Sequence, residues 1–391
     1  MGIKEPKVAF VGIGGYGGTV LKEIFETSTE GFSVVAAVDP YAEKSPCFDR
    51  LRRFGVPMYA TMEEMFGAGC RPDLVYIATP IQFHTAQISE AVRRGANVLC
   101  EKPMTGDERD IARLEALGKG SDKFIAVGYQ WSYSRAIQAL KADVMKGVFG
   151  KALHLKGLVF WPRNKAYFTR STGWAGKIYA QNGEKILDSI IHNATAHYVH
   201  NMMYVLGEKT DAAMPVRHID ATLLRTNDIE TFDTATLRFA FENGATGTFV
   251  ASHCTAETVE PKFEYIFEKG KVFYSEETGN ILAEMEDGSV REYGDPFADG
   301  AAFKFYRCLD LIRRGEKEVL CGVNAAKEEV RFVTKMHADN KIVCVNRERV
   351  RERDGFLVVD GLGEMLADCY ERDKLLSEEP GFDKMTGAGK R

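Results

Sequence analysis

The sequence predicts two domains: an α/β domain with a doubly wound parallel sheet over residues 1–128, and an α+β domain over residues 129–391 whose mostly antiparallel, open sheet carries helices on one face. Three observations support this. At 391 residues, 45% of them hydrophobic, the chain is too long for a single core. Up to residue 128, short apolar runs alternate with amphipathic stretches. After residue 216, strand-like runs are joined by tight turns.

The first domain is predicted from apolar runs that have the length of buried parallel strands: residues 8–11, 34–38, 73–78, 97–100 and 123–127. Helical stretches over residues 82–94 and 107–118 separate the later runs. Strands separated by helices indicate a parallel sheet, because a parallel connection needs a crossover.

The second domain begins with a predicted helix over residues 134–146, a strand over 152–160 and one long helix over 184–206. Residues 233–241 alternate and are followed by Asn243-Gly244, the strongest short hairpin signal, and by a returning strand. Further turns are expected at Gly270-Lys271 and Asp287-Gly288, and late helices over residues 303–314, 325–337 and 363–376. An open sheet face usually marks an interface, so we expect a homodimer or homotetramer formed through this sheet.

A glycine-rich turn joins the first apolar run to an amphipathic helix, and the second apolar run ends at Asp39. The turn reads Gly12-Ile13-Gly14-Gly15-Tyr16-Gly17. In a dinucleotide-binding βαβ unit, such glycines allow a tight turn, close approach of a pyrophosphate and close helix packing, and the acid binds the ribose hydroxyls. Because a carboxylate repels a 2′-phosphate, the sequence favours NAD over NADP.

Two further groups follow buried strands of the first domain, at the sheet edge where open α/β sheets bind ligands. Thr79-Pro80 precedes His84, which either faces the cofactor or occupies the first turn of a helix. Glu101-Lys102-Pro103 follows the next strand. Lys102 could donate to a substrate oxygen and stabilise charge on it, or the three residues could form a simple surface turn.

Asp188 and His192 are four residues apart in the predicted long helix, so both are expected on one helical face. Asp188 could then orient the imidazole or bind substrate while His192 acts as a general base. A structural histidine is the alternative on spacing alone. His197 and His200 have no cysteine or carboxylate on their face, so no metal site is expected.

Aromatic and basic side chains interleave at the start of the second domain, as expected for a surface that stacks on a sugar and donates to its hydroxyls. Ordinary core packing is the alternative for each of them. The substrate candidates are Trp131, Tyr133, Trp161, Arg163, Tyr167 and Trp174.

Composition excludes several classes of partner. A formal net charge of −5 gives no electrostatic reason to expect nucleic acid or an anionic membrane. No apolar run approaches membrane-spanning length, and no signal peptide precedes the first strand. The eight cysteines form no C-x-x-C pair, which is typical of reduced, mostly buried thiols in a cytoplasmic protein. Residues 346–354 mix arginine with glutamate and predict a solvated hairpin or loop.

The order and spacing of the glycine turn, Thr79-Pro80 with His84, Glu101-Lys102-Pro103, and Asp188 with His192 resemble the Gfo/Idh/MocA family of glucose–fructose oxidoreductase and inositol dehydrogenase. The resemblance covers about the first two hundred residues. It implies nicotinamide-dependent oxidation or reduction of a sugar or polyol. It also places the cofactor against the glycine turn, Asp39 and the residues that follow the two later strands.

The resemblance also assigns roles. Lys102 would hold the substrate oxygen, Asp188 would set the geometry, and His192 would remove the hydroxyl proton while hydride passes to the nicotinamide. The chain departs from the family pattern where Asn182-Gly183 replaces a glycine pair, and where Thr195 replaces a second acid three residues after the histidine. Substrate identity is therefore not transferable.

Two other functions use the same residues. Bound NAD could be used transiently, so that oxidation, elimination and re-reduction cleave a glycoside without net redox change. Alternatively the protein could be a non-catalytic NAD-binding sensor, although the presence of both Lys102 and His192 argues against it.

Overall fold

The computed structural model describes residues 5–170 and 173–387. The chain divides into two compact units. The first unit runs to Ser134 and also includes Thr210–Ala212 and Phe297–Lys327, and the second unit contains the remaining residues. Residues 129–134 and 297–327, which the sequence analysis assigned to the second domain, therefore group with the first unit.

The first unit is built on a six-stranded sheet in the order β3-β2-β1-β4-β5-β6, with every neighbouring pair parallel. This confirms the doubly wound parallel sheet. Its strands are β1 (Lys7–Val11), β2 (Ser33–Val38), β3 (Met58–Tyr59), β4 (Leu74–Ile77), β5 (Asn97–Cys100) and β6 (Ile125–Val127). Its helices up to Ser134 are α1 (Gly15–Thr27), α2 (Phe48–Arg53), α3 (Met62–Gly67), α4 (His84–Arg93) and α5 (Arg109–Lys119).

The second unit is built on a nine-stranded sheet in the order β14-β13-β12-β11-β7-β10-β9-β8-β15. Only β7–β10 and β8–β15 are parallel pairs within it, so the predicted mostly antiparallel sheet is confirmed. Its strands are β7 (Ala152–Phe160), β8 (Val216–Arg225), β9 (Thr234–Phe241), β10 (Thr246–Ser252), β11 (Val259–Phe267), β12 (Gly270–Tyr274), β13 (Ile281–Met285), β14 (Val290–Gly294) and β15 (Ile342–Cys344). A separate hairpin, β16 (Val350–Arg353) and β17 (Phe356–Val359), forms where the Arg/Glu-rich segment was expected to turn.

The first helices of the second unit are α6 (Arg135–Met145), α7 (Lys165–Thr169) and α8 (Ala196–Val205). The later helices of the chain are α9 (Phe303–Arg314), α10 (Val323–Asp339), α11 (Leu362–Arg372) and α12 (Phe382–Thr386). The hairpin at Asn243-Gly244 forms as predicted: Gly244 has φ +90°, and the alternate residues of β9 point into the core. No helix within the two described ranges is both long and apolar enough to span a bilayer.

Helix α9 belongs to the first unit because its apolar face completes that unit's core. Phe305 packs against Phe10 of β1, with ring centroids 5.6 Å apart, and against Phe32 at 5.2 Å. Cys308, Leu309 and Ile312 join the same buried cluster. At about 25 cal/mol per Å² of apolar surface, burying these side chains stabilises the docked helix far more than its exposed positions could.

The sheet of the second unit has helices on both faces. Because neighbouring residues of a strand point to opposite faces, Gly157 and Leu158 of β7 mark the two sides. A Cβ at Gly157 would approach Met202 of α8, whereas Leu158 lies in a core cluster with Leu366 of α11. The sheet therefore carries the C-terminal helix α11 on the face opposite α8.

All eight cysteines are free thiols. Six are buried, but Cys70 is half-buried and Cys344 is exposed. Cys344 lies in the apolar run that suggested burial, but β15, its strand, is the edge strand of the sheet, so one side of the residue remains open to solvent.

Candidate functional site

The glycine turn has the geometry that close approach to a ligand requires. Gly12 has φ +82°, and a Cβ there would lie 2.8 Å from the Ala78 carbonyl group. A Cβ at Gly17 would overlap the carbonyl oxygen of Gly12. By contrast, a Cβ at Gly14 would meet nothing nearer than Asp39 at 3.8 Å. Gly12 and Gly17 are thus required by the turn itself, while the space beside Gly14 is available for a bound group.

Asp39 lies directly against this turn. Its Oδ2 accepts hydrogen bonds from the backbone N–H groups of Ile13 (3.0 Å) and Gly14 (3.2 Å), and its Oδ1 accepts from Tyr41 (2.9 Å). Helix α1 begins at Gly15 with no capping side chain and no acidic residue in its first turn. The dipole and N–H groups of that turn favour phosphate oxygens. The turn and the acid together fit NAD.

Glu101 is held in a buried network that the sequence analysis did not find. Its Oε1 accepts from the Tyr76 hydroxyl at 2.6 Å and from Lys304 Nζ at 2.9 Å. Lys304, on α9, also donates to the Tyr16 hydroxyl at 3.1 Å. Burial alone would lower the pKa of Lys304, but the Glu101 carboxylate and Tyr16 hydroxyl raise it above its ordinary value. The network therefore ties the glycine turn to the segment after β5.

The second carboxylate oxygen of Glu101 fits a cofactor hydroxyl. Oε2 is buried, and within the part of the chain that the structure describes it has no hydrogen-bond partner. A Cβ at Gly128 would lie 2.9 Å from it, so glycine is needed there for the carboxylate to fit. A buried carboxylate oxygen without a donor is costly, and a ribose hydroxyl is a donor of suitable size. Lys102, the next residue, is half-buried.

His84 is the first residue of α4 and is 1% exposed. Its Nδ1 lies 2.8 Å from the Pro103 carbonyl oxygen, and its Nε2 lies 2.8 Å from that of Thr79. Burial lowers the pKa of His84, whereas the two carbonyl groups raise it. Of the two alternatives, the structure shows the helical first turn, with the ring connecting the segments that follow β4 and β5.

The expectation that Asp188 and His192 share one helical face is wrong, as is the long helix over 184–206. Leu187 has φ +47°, and Ser189 is extended, with its side chain accepting a hydrogen bond from the His192 N–H at 3.2 Å. This serine cap starts a π-helical turn, Ile190–Ala194, which α8 follows. Asp188 therefore precedes the helix. Ile186, Leu187 and Ser189 are buried without belonging to a helix.

Asp188 is 3% exposed, and both of its carboxylate oxygens accept hydrogen bonds. Oδ2 accepts from the Gly176 N–H at 2.6 Å and Oδ1 from Asn193 Nδ2 at 2.8 Å. Burial raises the pKa of Asp188, and the two hydrogen bonds, Arg170 and His192 lower it. Asp188 thus lies near His192 while holding the segment that carries Trp174.

His192 forms a buried pair with Glu329 of α10. His192 Nδ1 lies 3.0 Å from Glu329 Oε1, and the side chains are 1% and 0% exposed. Because a carboxylate only accepts, Nδ1 is the nitrogen that donates to Glu329, which leaves Nε2 as the nitrogen that can accept a proton. Among the described residues, Nε2 is buried without a hydrogen-bond partner. An acid that orients an imidazole whose other nitrogen is unfilled is the arrangement of a general base.

Both missed residues, Glu329 and Lys304, gave a signal in the sequence. Each is a charge on the apolar face of an amphipathic helix: Glu329 lies among Ala326, Val330 and Val333, and Lys304 precedes Cys308 by one turn. Buried charges are rare unless paired, so such positions indicate a partner. Only the fold could identify which partner, because it lies far away in the chain.

The aromatic candidates divide between the units. In the first unit, Trp131 and Tyr133 are 2% and 3% exposed; Trp131 packs on Phe297, and the Tyr133 hydroxyl donates to the Cys321 carbonyl oxygen at 3.2 Å. Both side chains are buried, and contact of either one with substrate stays a prediction. In the second unit, a half-buried cluster contains the other four candidates: Trp161, Arg163, Tyr167 and Trp174.

His200 is buried and stacks on Tyr204, with ring centroids 5.5 Å apart. Burial lowers the pKa of His200 to about 3. Within residues 5–170 and 173–387, no three His, Cys, Asp or Glu side chains are grouped as metal ligands.

Comparison with known proteins identifies the family. Residues 6–129 match the model of the oxidoreductase family with an NAD-binding Rossmann fold, and residues 137–273 match the GFO/IDH/MocA C-terminal domain. The chain belongs to the Gfo/Idh/MocA oxidoreductases, as the motifs predicted.

Individual relatives and a solved structure are similar to this chain. An inositol 2-dehydrogenase of Corynebacterium glutamicum is 30% identical over 190 residues, 48% of this chain and 52% of that protein. The chain therefore spans about half the length of this curated relative. A D-apiose dehydrogenase of Rhizobium rhizogenes is 25% identical over 67% of this chain and 70% of its own. The structure of the WlbA dehydrogenase of Bordetella pertussis, in complex with NADH and UDP-GlcNAcA, shares the fold with a TM-score of 0.68 at 20% identity, covering 85% and 96% of the two chains.

Proposed function

We propose that this protein is an NAD-dependent dehydrogenase that transfers hydride between a hydroxyl-bearing carbon of a sugar or polyol and nicotinamide. The observation that carries the proposal is the buried His192–Glu329 pair, with Nε2 of the imidazole left without a partner among the described residues. A dehydrogenase needs a group that accepts the proton of the substrate hydroxyl, and Nε2 of His192 can accept it. The similarity to inositol and apiose dehydrogenases supports the substrate class.

In this proposal His192 takes the proton of the substrate hydroxyl on Nε2. Glu329 fixes the tautomer and stabilises the imidazolium that forms, since its carboxylate is only 3.0 Å from Nδ1. Lys102, which follows β5 at the ligand-binding edge of the first unit's sheet, is proposed to donate to a substrate oxygen and to stabilise negative charge on it. Asp188 holds the segment around Gly176 in place. NAD, when bound, accepts the hydrogen of the carbon as hydride, so that proton and hydride together account for the two-electron oxidation.

Cofactor binding is assigned to the glycine turn, with Asp39 receiving the ribose hydroxyls in place of the Ile13 and Gly14 N–H groups. Glu101 Oε2 is proposed to accept from a second hydroxyl. Thr79 and Pro80 follow β4 at the same sheet edge and are proposed to line the cofactor. His84 is proposed to act through its two carbonyl contacts and not by touching NAD. The carboxylate of Asp39 favours NAD over NADP.

We further propose a cytoplasmic homodimer or homotetramer formed through the nine-stranded sheet. Support comes from the eight free cysteines and from β14, an edge strand whose first three residues are exposed. Light scattering after gel filtration should give the mass of two or four chains, and the mass of one chain would contradict this proposal.

The experiment that tests the function follows NADH absorbance with purified protein, NAD and a panel of sugars, inositols, sugar acids and aryl glycosides. NADH formation with one class, abolished in His192→Asn without loss of NAD binding, is the expected result. Release of the aglycone at constant NADH absorbance would instead indicate redox-assisted glycoside cleavage. NAD binding with no turnover of any compound, and no effect of His192→Asn in cells, would favour a sensor.

A further inference from the structure

We propose that Arg163 and Arg170 form a binding site for an oxyanion, a carboxylate or phosphate group, carried by the substrate. This inference rests on the proposed dehydrogenase function, because it specifies which sugars or polyols the second unit accepts. The cluster was expected to stack on a sugar and donate to its hydroxyls, and the proposal adds that it selects acidic substrates.

Both guanidinium groups lie over one aromatic ring. Arg170 Cζ is 3.6 Å and Arg163 Cζ is 5.1 Å from the centroid of Tyr167. Arg170 also lies 5.1 Å from Trp174, and Arg163 lies 5.7 Å from Trp161. Arg163 and Arg170 therefore belong to one cluster with these aromatic rings. The N–H donors of an arginine lie in the guanidinium plane, where they can bind an oxyanion in pairs.

The lysines near this cluster have acidic partners, whereas, among the described residues, the two arginines do not. Lys165 pairs with Glu352 at 2.8 Å, and Lys177 pairs with Glu230 at 3.1 Å. Within the described ranges, neither Arg163 nor Arg170 forms an ion pair with any carboxylate. The residues outside those ranges, 1–4, 171–172 and 388–391, contain no Asp or Glu.

The remaining acids near the cluster are occupied. Glu260 accepts from Trp161 Nε1 at 3.1 Å, and both carboxylate oxygens of Asp188 accept from Gly176 and Asn193. Arg163 Nε is buried and has no acceptor among the described residues. A buried donor on a charged group is costly when unpaired, and a bidentate oxyanion satisfies it.

His253 adds no positive charge to the cluster. His253 is 2% exposed, its ring lies 5.6 Å from that of Tyr167, and its Nδ1 contacts the Trp161 carbonyl oxygen at 2.7 Å. Burial and the charges of Arg163 and Arg170 lower the pKa of His253 to about 3, although the contact with the Trp161 carbonyl raises it. The imidazole is therefore neutral, and the cationic groups of the cluster are Arg163 and Arg170.

The cluster also adjoins the residues assigned to catalysis in the second unit. Arg170 lowers the pKa of Asp188, and Asp188 raises that of Tyr167, so these three groups lie within one another's electric field. Asp188 anchors Gly176, two residues after Trp174. An anion held by the arginines would thus orient a substrate whose hydroxyl reaches His192.

The test compares ligand binding with turnover. Isothermal titration in saturating NAD would use glucuronate and gluconate as carboxylate probes, glucose 6-phosphate as the phosphate probe, and glucose and myo-inositol as neutral probes. Variants are Arg163→Gln, Arg170→Gln and Arg170→Lys. Lys165→Gln is the matched control, because it removes the same charge from the same segment but from an existing ion pair. Circular dichroism melting verifies that each variant folds.

We expect one anionic probe to bind more tightly than its neutral counterpart. Each Arg→Gln change should weaken that binding about 10- to 100-fold, the usual effect of losing a charged hydrogen-bonded pair. Binding of neutral probes and the Lys165→Gln protein should be unchanged, and Arg170→Lys should recover only part of the affinity, because lysine lacks the fork. Carboxylate and phosphate probes identify which oxyanion is recognised.

Different results would contradict the oxyanion site and the dehydrogenase function. Arginine-dependent binding of an acid without NADH formation would support the oxyanion site and contradict the dehydrogenase. Oxidation of a neutral polyol that depends on His192, with no acid bound more tightly through the arginines, would overturn the oxyanion site and leave the dehydrogenase intact. The oxyanion site is also overturned if no acid in the panel shows binding that depends on the arginines.

Discussion

His192 Nδ1 and Glu329 Oε1 are 3.0 Å apart across 137 residues of sequence, in side chains that are almost completely buried. Thr195 stands where the family resemblance leads one to expect a second acid near the histidine. Helix α10, far from His192 in the sequence, supplies a carboxylate to the same imidazole. The pair is the basis of the first prediction.

Replacement of Glu329 by Gln should lower kcat by about 10- to 100-fold with little change in KM or in NAD binding. The amide keeps the shape but cannot stabilise the imidazolium, and it can hold the ring in the wrong tautomer. Steady-state kinetics with the substrate found in the panel would measure this. Glu328→Gln is the matched control, since Glu328 pairs with Arg331 at 2.9 Å on the same helix. Equal losses in both variants would show that the effect is not specific to His192.

Replacement of Lys304 by Met should destabilise the protein by about 3–5 kcal/mol, because it leaves the buried Glu101 carboxylate without its cation. NAD affinity should fall as well, since Tyr16 in the glycine turn loses its hydrogen bond to Lys304. Urea unfolding measures the first effect and fluorescence titration the second.

The control for Lys304 is Arg313→Met, which breaks a half-buried pair with Asp310 on the same helix and a hydrogen bond to the Gly31 carbonyl oxygen, and which should cost less than Lys304→Met. Adding Glu101→Gln to Lys304→Met should recover part of the stability, because the unpaired charge is then removed. Additive losses in the double variant would contradict a direct pairing.

Two alanine substitutions in the glycine turn should affect different properties, one the stability of the protein and the other its affinity for NAD. Gly17→Ala forces a methyl group onto the Gly12 carbonyl oxygen and should lower stability by a few kcal/mol. Gly14→Ala meets nothing nearer than 3.8 Å and should leave the melting temperature almost unchanged while weakening NAD binding at least about tenfold. If Gly14→Ala bound NAD normally, the turn would not be the pyrophosphate site.

Acid stability should depend on buried neutral histidines. The pKa of His200 is lowered to about 3 in the folded protein, whereas its ordinary value is 6.5. Between these values the unfolded chain binds a proton that the folded protein does not, so the free energy of unfolding falls as pH decreases. The contribution is about 1.4 kcal/mol per pH unit.

His200→Phe keeps a ring that can stack on Tyr204 but removes this titration. Urea unfolding at pH 6.5 and at lower pH should therefore show a shallower decrease for the variant, with all other groups common to both proteins. Identical pH dependence would mean that His200 titrates normally in the folded state.

Local pattern was sufficient for much of the fold. The strand over 152–160, the helix over 303–314 and the Asn243-Gly244 hairpin all form where the sequence predicted them. The spacing of apolar residues predicts the strand and the helix, and the hairpin is predicted by a turn that only certain residues adopt. The prediction of a helix over 184–206 was wrong at its start, because Leu187 adopts a positive φ that no local pattern indicated and the helical turns begin only at Ile190.

The motifs of the sequence also identified the family and its NAD-binding domain, and the proposed roles of Asp39, Lys102 and His192 come from the same motifs. Only tertiary structure decided that α9 completes the first unit and brings Lys304 to Glu101, and that α10 brings Glu329 to His192. The physical reason is that a buried charge must have a partner. The sequence shows that the charge is there, but the partner is chosen by packing between elements far apart in the chain.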